Sequence, residues 1–440
     1  MNPPAASPAG RILLASLAGT TIEYFDFYIY ATAAVVAFPA LFFPTGDAQT
    51  ARLQSLATFA LAFVARPIGS ALFGHFGDRI GRKATLVAAL LTMGGSTVAI
   101  GLLPSYAAIG IAAPALLCLL RLGQGLGLGG EWGGAMLLAT ENAPPGRESI
   151  YGMFPQLGSP LGFLLASGIF VLLSAWLPET AFLAWGWRIP FLASAALVLV
   201  GLYVRLRIAE TPQFLRAMSL HQRVPVPVLH VCREHLRTLI IATFIATTTF
   251  VTFYLMTVFS LSWATTRLGY PRSQFLLLQM IGVLFFALTI PLSAYLAQRT
   301  SGRAVLIAAS IAIALFGLTF GALFGTHSTQ QALLYLCVGL ALMGVTYGPL
   351  GTVLAGLFPT PVRYTGSSLA FSLAGIVGGS AAPYLATWLA GRFGVAFVGY
   401  YLSAAALVTL VALLLVRPLR AAQGVSAMLR APSGVDRHLP

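Results

Sequence analysis

Long apolar segments, each of about twenty residues or more, recur twelve times along this chain of 440 residues. A helix needs about 20 mostly apolar residues to cross the hydrocarbon core of a bilayer. Only 8% of the residues are charged and 58% are hydrophobic, which excludes an ordinary soluble domain. The sequence therefore predicts an all-α integral membrane protein with twelve transmembrane helices. The predicted spans are residues 14–40, 51–74, 84–103, 108–138, 150–174, 186–206, 237–263, 273–296, 304–324, 332–357, 365–390 and 397–416.

The basic residues predict which side of the membrane each loop faces. Most Lys and Arg side chains lie in loops that would share one side, whereas the other side holds only Arg52, Arg188, Arg267, Arg272 and Arg392. Cytoplasmic loops carry the excess of positive charge, so both termini are predicted to be cytoplasmic. The net charge of +14 is explained by this topology, without a nucleic-acid partner. Anionic lipid headgroups are the expected partner of the basic loop at 204–237. The basic segments of the cytoplasmic side are residues 11, 79–83, 147, 205–237, 299–303, 363 and 417–437.

A polar, basic stretch at residues 207–236 separates six spans from six. We therefore expect an N-terminal half at 1–206, a cytoplasmic linker at 207–236, a C-terminal half at 237–416 and a cytoplasmic tail at 417–440. The turn "GHFGDRIGRKA" after the second span resembles "AYLAQRTSGRA" after the eighth, which suggests an internal repeat. Two parallel six-helix repeats with a substrate site between them are typical of secondary transporters.

Several other classes of protein and site find no support in the sequence. The three cysteines, Cys118, Cys232 and Cys337, show no CxxC spacing, so neither a disulfide nor a metal site is predicted. No cofactor is predicted. Catalytic patterns such as HExxH and GxSxG are missing, so an intramembrane enzyme is not expected. The first apolar segment is too long for a signal peptide and is expected to remain as a helix.

Charged residues inside the predicted spans are the strongest signal of function, because each costs roughly 2.5 to 3.5 kcal/mol at the centre of a membrane helix. The acids Glu23, Asp26 and Glu131 fall within spans, as do Arg66 and Arg121. The chain has no acid between residues 234 and 436, so a titrating carboxylate must lie in the first half. Glu23, Asp26 and the nearby Tyr30 lie close together around the helix, so their side chains can face one cavity.

The buried charges leave several roles open. Arg121 lies about 20 Å deep and needs a carboxylate, which Asp26 or a bound substrate would supply. Glu131 is either a cavity acid or a member of an ion pair between helices. The glycines at 125, 129 and 133 recur every four residues, which favours close helix packing. The candidates for substrate binding are Tyr30, Arg121, Gln124, Glu131, Gln156, Tyr254, Gln279 and Tyr347.

The segment "RPIGSALFGHFGDRIGRKATL" resembles the loop signature of the major facilitator superfamily. "GTTIEYFDFYIYATAA", "GQGLGLGGEWGGAMLLATENAP", "WGWRIPF" and "FPTPVRYTG" are similar to its metabolite:proton symporter branch, which includes carriers of shikimate, oxoglutarate, citrate and betaine-type osmolytes. The resemblance implies the major facilitator fold of two six-helix halves. It also implies that Asp26 and Arg121 form the proton-coupling pair. We therefore expect Glu23 to be a modulator of that pair or a helix-packing acid. It further assigns a gate to Gly74, Asp78, Arg79, Gly81, Arg82, Lys83, Glu141, Arg147 and Arg363.

These observations predict a proton-coupled symporter that imports a small organic acid across the bacterial inner membrane by alternating access. In this hypothesis, protonation of Asp26 frees Arg121 to bind a carboxylate of the substrate. Coupling to sodium, transport of a zwitterionic osmolyte, and export of a drug or metabolite are the alternatives. The carrier is expected to act as a monomer.

Overall fold

The structure is a computed structural model and describes residues 9–44, 48–206, 226–325 and 328–416. It contains twelve long helices, as the hydropathy predicts, and no strand within those ranges. Eleven are long and apolar enough to cross a membrane, and the ninth is a shorter apolar helix. The helices are α1 Ala9–Val36, α2 Ala48–Arg79, α3 Arg82–Leu102, α4 Ala112–Glu141, α5 Glu148–Trp176, α6 Arg188–Leu206, α7 Leu236–Tyr254, α8 Arg272–Arg299, α9 Gly302–Leu318, α10 Thr329–Gly356, α11 Arg363–Ala374 and α12 Ala396–Leu415.

Two predicted spans extend beyond the C-terminal ends of the helices found. α1 ends at Val36 and a short helix follows at Phe38–Phe42, whose first turn contains a proline. Proline has no N–H and clashes with the preceding turn, which favours a break in the helix at this point. α9 ends at Leu318, and the short helix Phe320–Phe324 covers the rest of the predicted span.

α7 and α11 each continue beyond a wider, π-helical turn. In α7 this turn is Leu255–Phe259, followed by Ser260–Thr266; in α11 it is Gly375–Ser380, followed by Ala381–Phe393. Such turns are frequent at functional sites. The amide of Gln279 in α8 donates to the carbonyls of Met256 (3.0 Å) and Thr257 (2.7 Å), which stabilises the turn in α7.

Close packing of α2 against α4 depends on the glycines predicted for that role. A Cβ added at Gly129 would overlap the carbonyl oxygen of Arg66, and one at Gly125 would lie 2.5 Å from the carbonyl oxygen of Ala62. Without side chains the two backbones approach closely, as small residues allow in membrane helices. The peptide of Arg66 is thereby held against α4.

The first six helices contact the last six along two main seams. α5 packs against α8 and α10, and α2 packs against α11. The proposed boundaries of the two halves remain a prediction. Part of the predicted linker is helical, because Pro227–Glu234 forms a short helix that contacts α2. Residues 207–225 of the linker and the tail at 417–440 lie outside the described residues.

Candidate transport site

A small cavity lies between the first six and the last six helices. Its volume is about 20 Å³, enough for one water molecule. Aromatic rings form most of its wall, and Arg66 is the one charged side chain among the described residues that line it. The full lining is Tyr24, Phe27, Tyr28, Arg66, Leu128, Ser159, Thr249, Phe250, Phe253, Tyr254, Met343, Tyr347 and Phe371.

A second cavity of about 40 Å³ lies on the other side of Tyr28 and Tyr254. Thr32 and Val35 of α1 and Gln279 of α8 are in its wall. Both cavities are too small for a metabolite, so the structure represents a closed state of the site. Three of the predicted binding residues line these cavities. Tyr254 lines both, Gln279 lines the second and Tyr347 lines the first.

Arg121 does not contact Asp26, contrary to the predicted direct pair. Its guanidinium is fully buried and donates to the side-chain oxygen of Gln124 (2.9 Å). It also lies 3.8 Å from the centre of the Tyr30 ring, a cation–π contact that stabilises a buried cation. Tyr30 in turn donates to the hydroxyl of Thr58 (2.7 Å). Uncharged groups thus surround this arginine, whereas the sequence predicted a carboxylate partner.

Asp26 is bound by a serine from a distant part of the chain. The hydroxyl of Ser194 in α6 donates to its Oδ1 (2.5 Å), and the carboxylate is fully buried. Gln124 donates to the hydroxyl of Thr97 (2.7 Å), and that hydroxyl donates to the carbonyl of Met93 (3.0 Å). Arg121 and Asp26 therefore have separate polar partners, and the two charges remain apart.

Glu131 forms an ion pair between helices, one of the two roles left open by the sequence. Both of its oxygens accept from the guanidinium of Arg205 in α6, at 2.9 and 2.7 Å. Arg205 is 4% exposed, so its assignment to a cytoplasmic loop was wrong. The pairing with Glu131 explains why this arginine remains inside the bundle.

Polar contacts beside the first cavity join helices of the two sets. Gln156 of α5 accepts a hydrogen bond from Trp132 (2.9 Å) and donates to the backbone carbonyl of Tyr347 in α10 (2.8 Å). The hydroxyls of Tyr24 and Tyr347 are also hydrogen-bonded. The indole of Trp132 stacks on the ring of Phe371 in α11, with centroids 3.7 Å apart. Gln156 and Tyr347 therefore link the two sets of helices in this closed state.

The predicted gate has a structural counterpart at one end of the bundle, here called the gate end, where Asp78 of α2 meets Thr365 of α11. A carboxylate oxygen of Asp78 accepts from the hydroxyl (2.8 Å) and the backbone N–H (3.4 Å) of Thr365. Thr365 lies in the first turn of α11, where carboxylates are favoured by free N–H groups and the helix dipole. Gly74 and Gly77 face Thr365 and Tyr364, leaving room for α11.

The other predicted gate residues occupy more varied positions. Gly81 has φ +117°, which suits the glycine at the turn before α3. Arg79 is exposed and lies 3.2 Å from the ring of His75, and Lys83 donates to the carbonyl of Leu206 (2.7 Å). Arg363 donates to the carbonyl of Phe358 (3.3 Å). The remaining members are Glu141, buried at the end of α4, Arg147, exposed before α5, and Arg82, whose side chain lies outside the described residues.

Arg66 is the site residue that sequence reasoning left without a role. Its position inside a span was evident, and the cost of a buried guanidinium was the available signal. The structure places it in the wall of the first cavity, 4.0 Å from Glu23, with its guanidinium 4.9 Å from the Phe371 ring centre. Glu23 and Asp26, three residues apart, thus contact different helices.

Comparison with known proteins supports the same class of protein. A family model described as "Sugar (and other) transporter" matches residues 12–224. The inner membrane metabolite transport protein YhjE of Escherichia coli (strain K12) is 53% identical over 415 residues, covering 93% of this chain and 94% of that protein. The shikimate transporter of the same strain is 34% identical, covering 93% of this chain and 95% of that protein.

A solved structure shares the fold. The proton:xylose symporter XylE, a major facilitator superfamily protein, matches with a TM-score of 0.75 at 17% identity, covering 92% of this chain and 94% of that one. The twelve helices of this chain agree with the fold of XylE. All of these relatives are transporters rather than enzymes. The chain therefore belongs to the family of metabolite transport proteins that includes YhjE, and it has the major facilitator fold of XylE.

Proposed function

We propose that this transporter is a proton-coupled symporter that imports a small organic acid across the bacterial inner membrane by alternating access. One observation carries the proposal: every buried charged side chain in the described ranges lies in the first six helices, and Arg66 borders the cavity between the two sets. A guanidinium at that place suits a carboxylate, which it can bind through two parallel hydrogen bonds. Buried acids in the same helices supply groups that can carry a proton.

The chemistry of a relative supports the choice of substrate class. Shikimate is a carboxylic acid, and the shikimate transporter of Escherichia coli aligns with nearly the whole chain. Proton coupling is supported by Glu23 and Asp26, two fully buried acids of the first helix whose carboxylates can bind and release a proton. XylE shows that the shared fold can serve a proton symporter.

The assignment of the proton site to Asp26 stays a prediction. For Asp26 to pair with Arg121, as the sequence suggested, the side chain of Gln124 would have to leave the guanidinium. In that hypothesis, Asp26 would then pair with Arg121 while ionised, and its protonation would release Arg121 to the substrate.

The two seams between the first six and the last six helices support alternating access. At the gate end, the contact between Asp78 and Thr365 joins the two sets of helices, and it can exist only while this end is closed. We assign the gate end to the cytoplasm, with both termini on that side, because the basic loops concentrate there. The structure would then be a form closed to the cytoplasm. A monomer is sufficient for this cycle.

Uptake into proteoliposomes tests the function. With the interior made alkaline, the wild type should accumulate a labelled carboxylate above its external concentration, and a protonophore should abolish the accumulation. A panel of shikimate, benzoate, oxoglutarate, citrate and glycine betaine covers the candidate classes. A sodium gradient without a pH gradient should give only equilibration. Accumulation that follows sodium, or none for any carboxylate, would contradict the proposal.

A zwitterionic osmolyte is the second candidate. The aromatic rings of Phe27, Tyr28, Phe250, Phe253 and Tyr254 around the first cavity can bind a quaternary ammonium group through their faces. Counterflow separates the candidates, because external glycine betaine should fail to exchange with internal label if the substrate is an organic acid.

A further inference from the structure

Arg66 carries donors that the protein leaves unused. The side chain is 3% exposed, and its Nε and Nη2 make no hydrogen bond within the described parts of the chain. Its guanidinium carbon lies 4.9 Å from the ring centre of Phe371 and 6.0 Å from that of Phe250, both in the last six helices. A buried guanidinium with free N–H groups is costly, so the position favours a ligand that completes the hydrogen bonds.

Glu23 holds Arg66 only weakly. Its Oε1 lies 4.0 Å from Nη2 of Arg66, and neither oxygen accepts a hydrogen bond from the described residues although the side chain is fully buried. Glu131, by contrast, makes two hydrogen bonds of 2.7 and 2.9 Å with Arg205. Of these two buried glutamates, Glu23 is therefore the one that can be displaced at low cost.

The charges around Glu23 balance. Glu131 of α4, Arg66 of α2 and Arg205 of α6 are the charged groups that act on it. Tyr24 on its own helix and Tyr347 of α10 are the neighbouring titratable groups. When all four groups are ionised, the two acids and the two arginines give the cluster a net charge of zero. Adding one substrate anion would leave one negative charge uncompensated in a buried site, a costly state.

We propose that a carboxylate of the substrate replaces Glu23 at Arg66, and that Glu23 takes up one proton as it is displaced. The proposal rests on the proposed function and deepens it. The proton comes from water on the side to which the cavity is open and binds an Oε of Glu23. The carboxylate accepts two N–H groups of Arg66. The cluster is then neutral both empty and loaded with one anion and one proton, which ties proton movement to substrate movement.

The same cavity indicates the class of substrate. Arg66 is the one cation among its described lining residues, so it can neutralise one carboxylate and no more. The rings of Phe27, Tyr28 and Phe253 offer flat apolar contacts, and the hydroxyls of Ser159 and Thr249 offer hydrogen bonds. A small monocarboxylate with a compact or cyclic, hydroxylated body fits this wall. Because the present volume holds only a water, the two sets of helices must separate to admit it.

The test compares Glu23→Gln, Asp26→Asn and the wild type in proteoliposomes with labelled shikimate as the probe. Glu23→Gln resembles the protonated acid, so we expect counterflow near the wild-type rate and loss of accumulation driven by a pH gradient. Wild-type uptake should carry one proton per molecule, measured with a pH dye. Shikimate or benzoate should compete better than oxoglutarate, citrate or glycine betaine.

Each outcome decides a different question. A wild type that accumulates no carboxylate overturns the proposed function itself. A coupled wild type with equally coupled Glu23→Gln overturns the present inference, and loss of coupling only in Asp26→Asn assigns the proton to the predicted site. Competition led by a dicarboxylate or by glycine betaine overturns the substrate class.

Arg66→Lys provides a second, independent test if Glu23→Gln does not fold. Lysine keeps the positive charge beside Glu23 but cannot make the paired hydrogen bonds of a guanidinium. We expect the KM for shikimate counterflow to rise about tenfold or more, as loss of a charge-assisted hydrogen bond produces, with thermal unfolding near that of the wild type. An unchanged KM would overturn the inference.

Discussion

Both carboxylate oxygens of Glu131 accept hydrogen bonds from the guanidinium of Arg205, in an ion pair buried between helices. Arg205 also donates to the carbonyl of Leu86 (2.6 Å), so α6 is bound to both α4 and α3 by one side chain. Removal of one member of a buried pair leaves a charge without compensation, whereas replacement of both can be nearly neutral.

Glu131→Gln alone should therefore destabilise the protein by about 3–5 kcal/mol. Glu131→Gln combined with Arg205→Met should restore part of that loss, since no charge remains unpaired. Thermal unfolding in detergent measures both variants. Arg79→Gln, which removes an exposed charge, is the control and should leave the midpoint nearly unchanged. Equal midpoints for Glu131→Gln and the wild type would show that the pair is not structural.

Among the helices, the contact between α2 and α4 tolerates little added volume. The glycines of α4 present bare backbone to α2, and Arg66 lies in the contact region. A shift of α2 would therefore move a residue of the cavity wall as well as weaken the packing.

Gly129→Ala should lower both thermal stability and transport, because the added Cβ would overlap the carbonyl oxygen of Arg66. Gly95→Ala in α3 is the matched control: a Cβ there meets nothing within 4 Å, and alanine favours a helix. We expect unfolding midpoints to fall for the first variant and to stay or rise for the second. The same fall at both positions would mean that packing against α2 is not the cause.

At the scale of the whole molecule, the gate end sets the balance between access states. Asp78 accepts hydrogen bonds from the first turn of α11 while this end is closed. A contact made in one state alone changes populations when it is removed, and it need not change the binding site.

Asp78→Asn should shift the population toward the form open at the gate end. In a background without the three native cysteines, a cysteine placed at Ser372 of α11 should react faster with a polar maleimide added from that end. Glu148→Gln, which removes an exposed acid from a loop at the same end, should leave the rate unchanged. Slower labelling in Asp78→Asn would contradict the role of this contact as a gate.

Sequence reasoning reached much of this architecture because its signals are local. The length of each apolar segment predicted the twelve helices, and the glycine spacing in α4 predicted close packing. Asp78 was identified because its loop motif is contiguous in sequence. The ends of α1 and α9 differ from those of the predicted spans, because a single proline or turn interrupts a helix without changing the hydropathy of the segment.

What the sequence determined by itself was the membrane-spanning helical class and the confinement of buried charge to one half of the chain, since both follow from composition along the chain. Tertiary structure alone decided the partners: Arg66 for Glu23, Ser194 for Asp26, and Arg205 for Glu131. Each pair joins residues on different helices, and helix rotation and depth, which hydropathy leaves open, determine which charges meet.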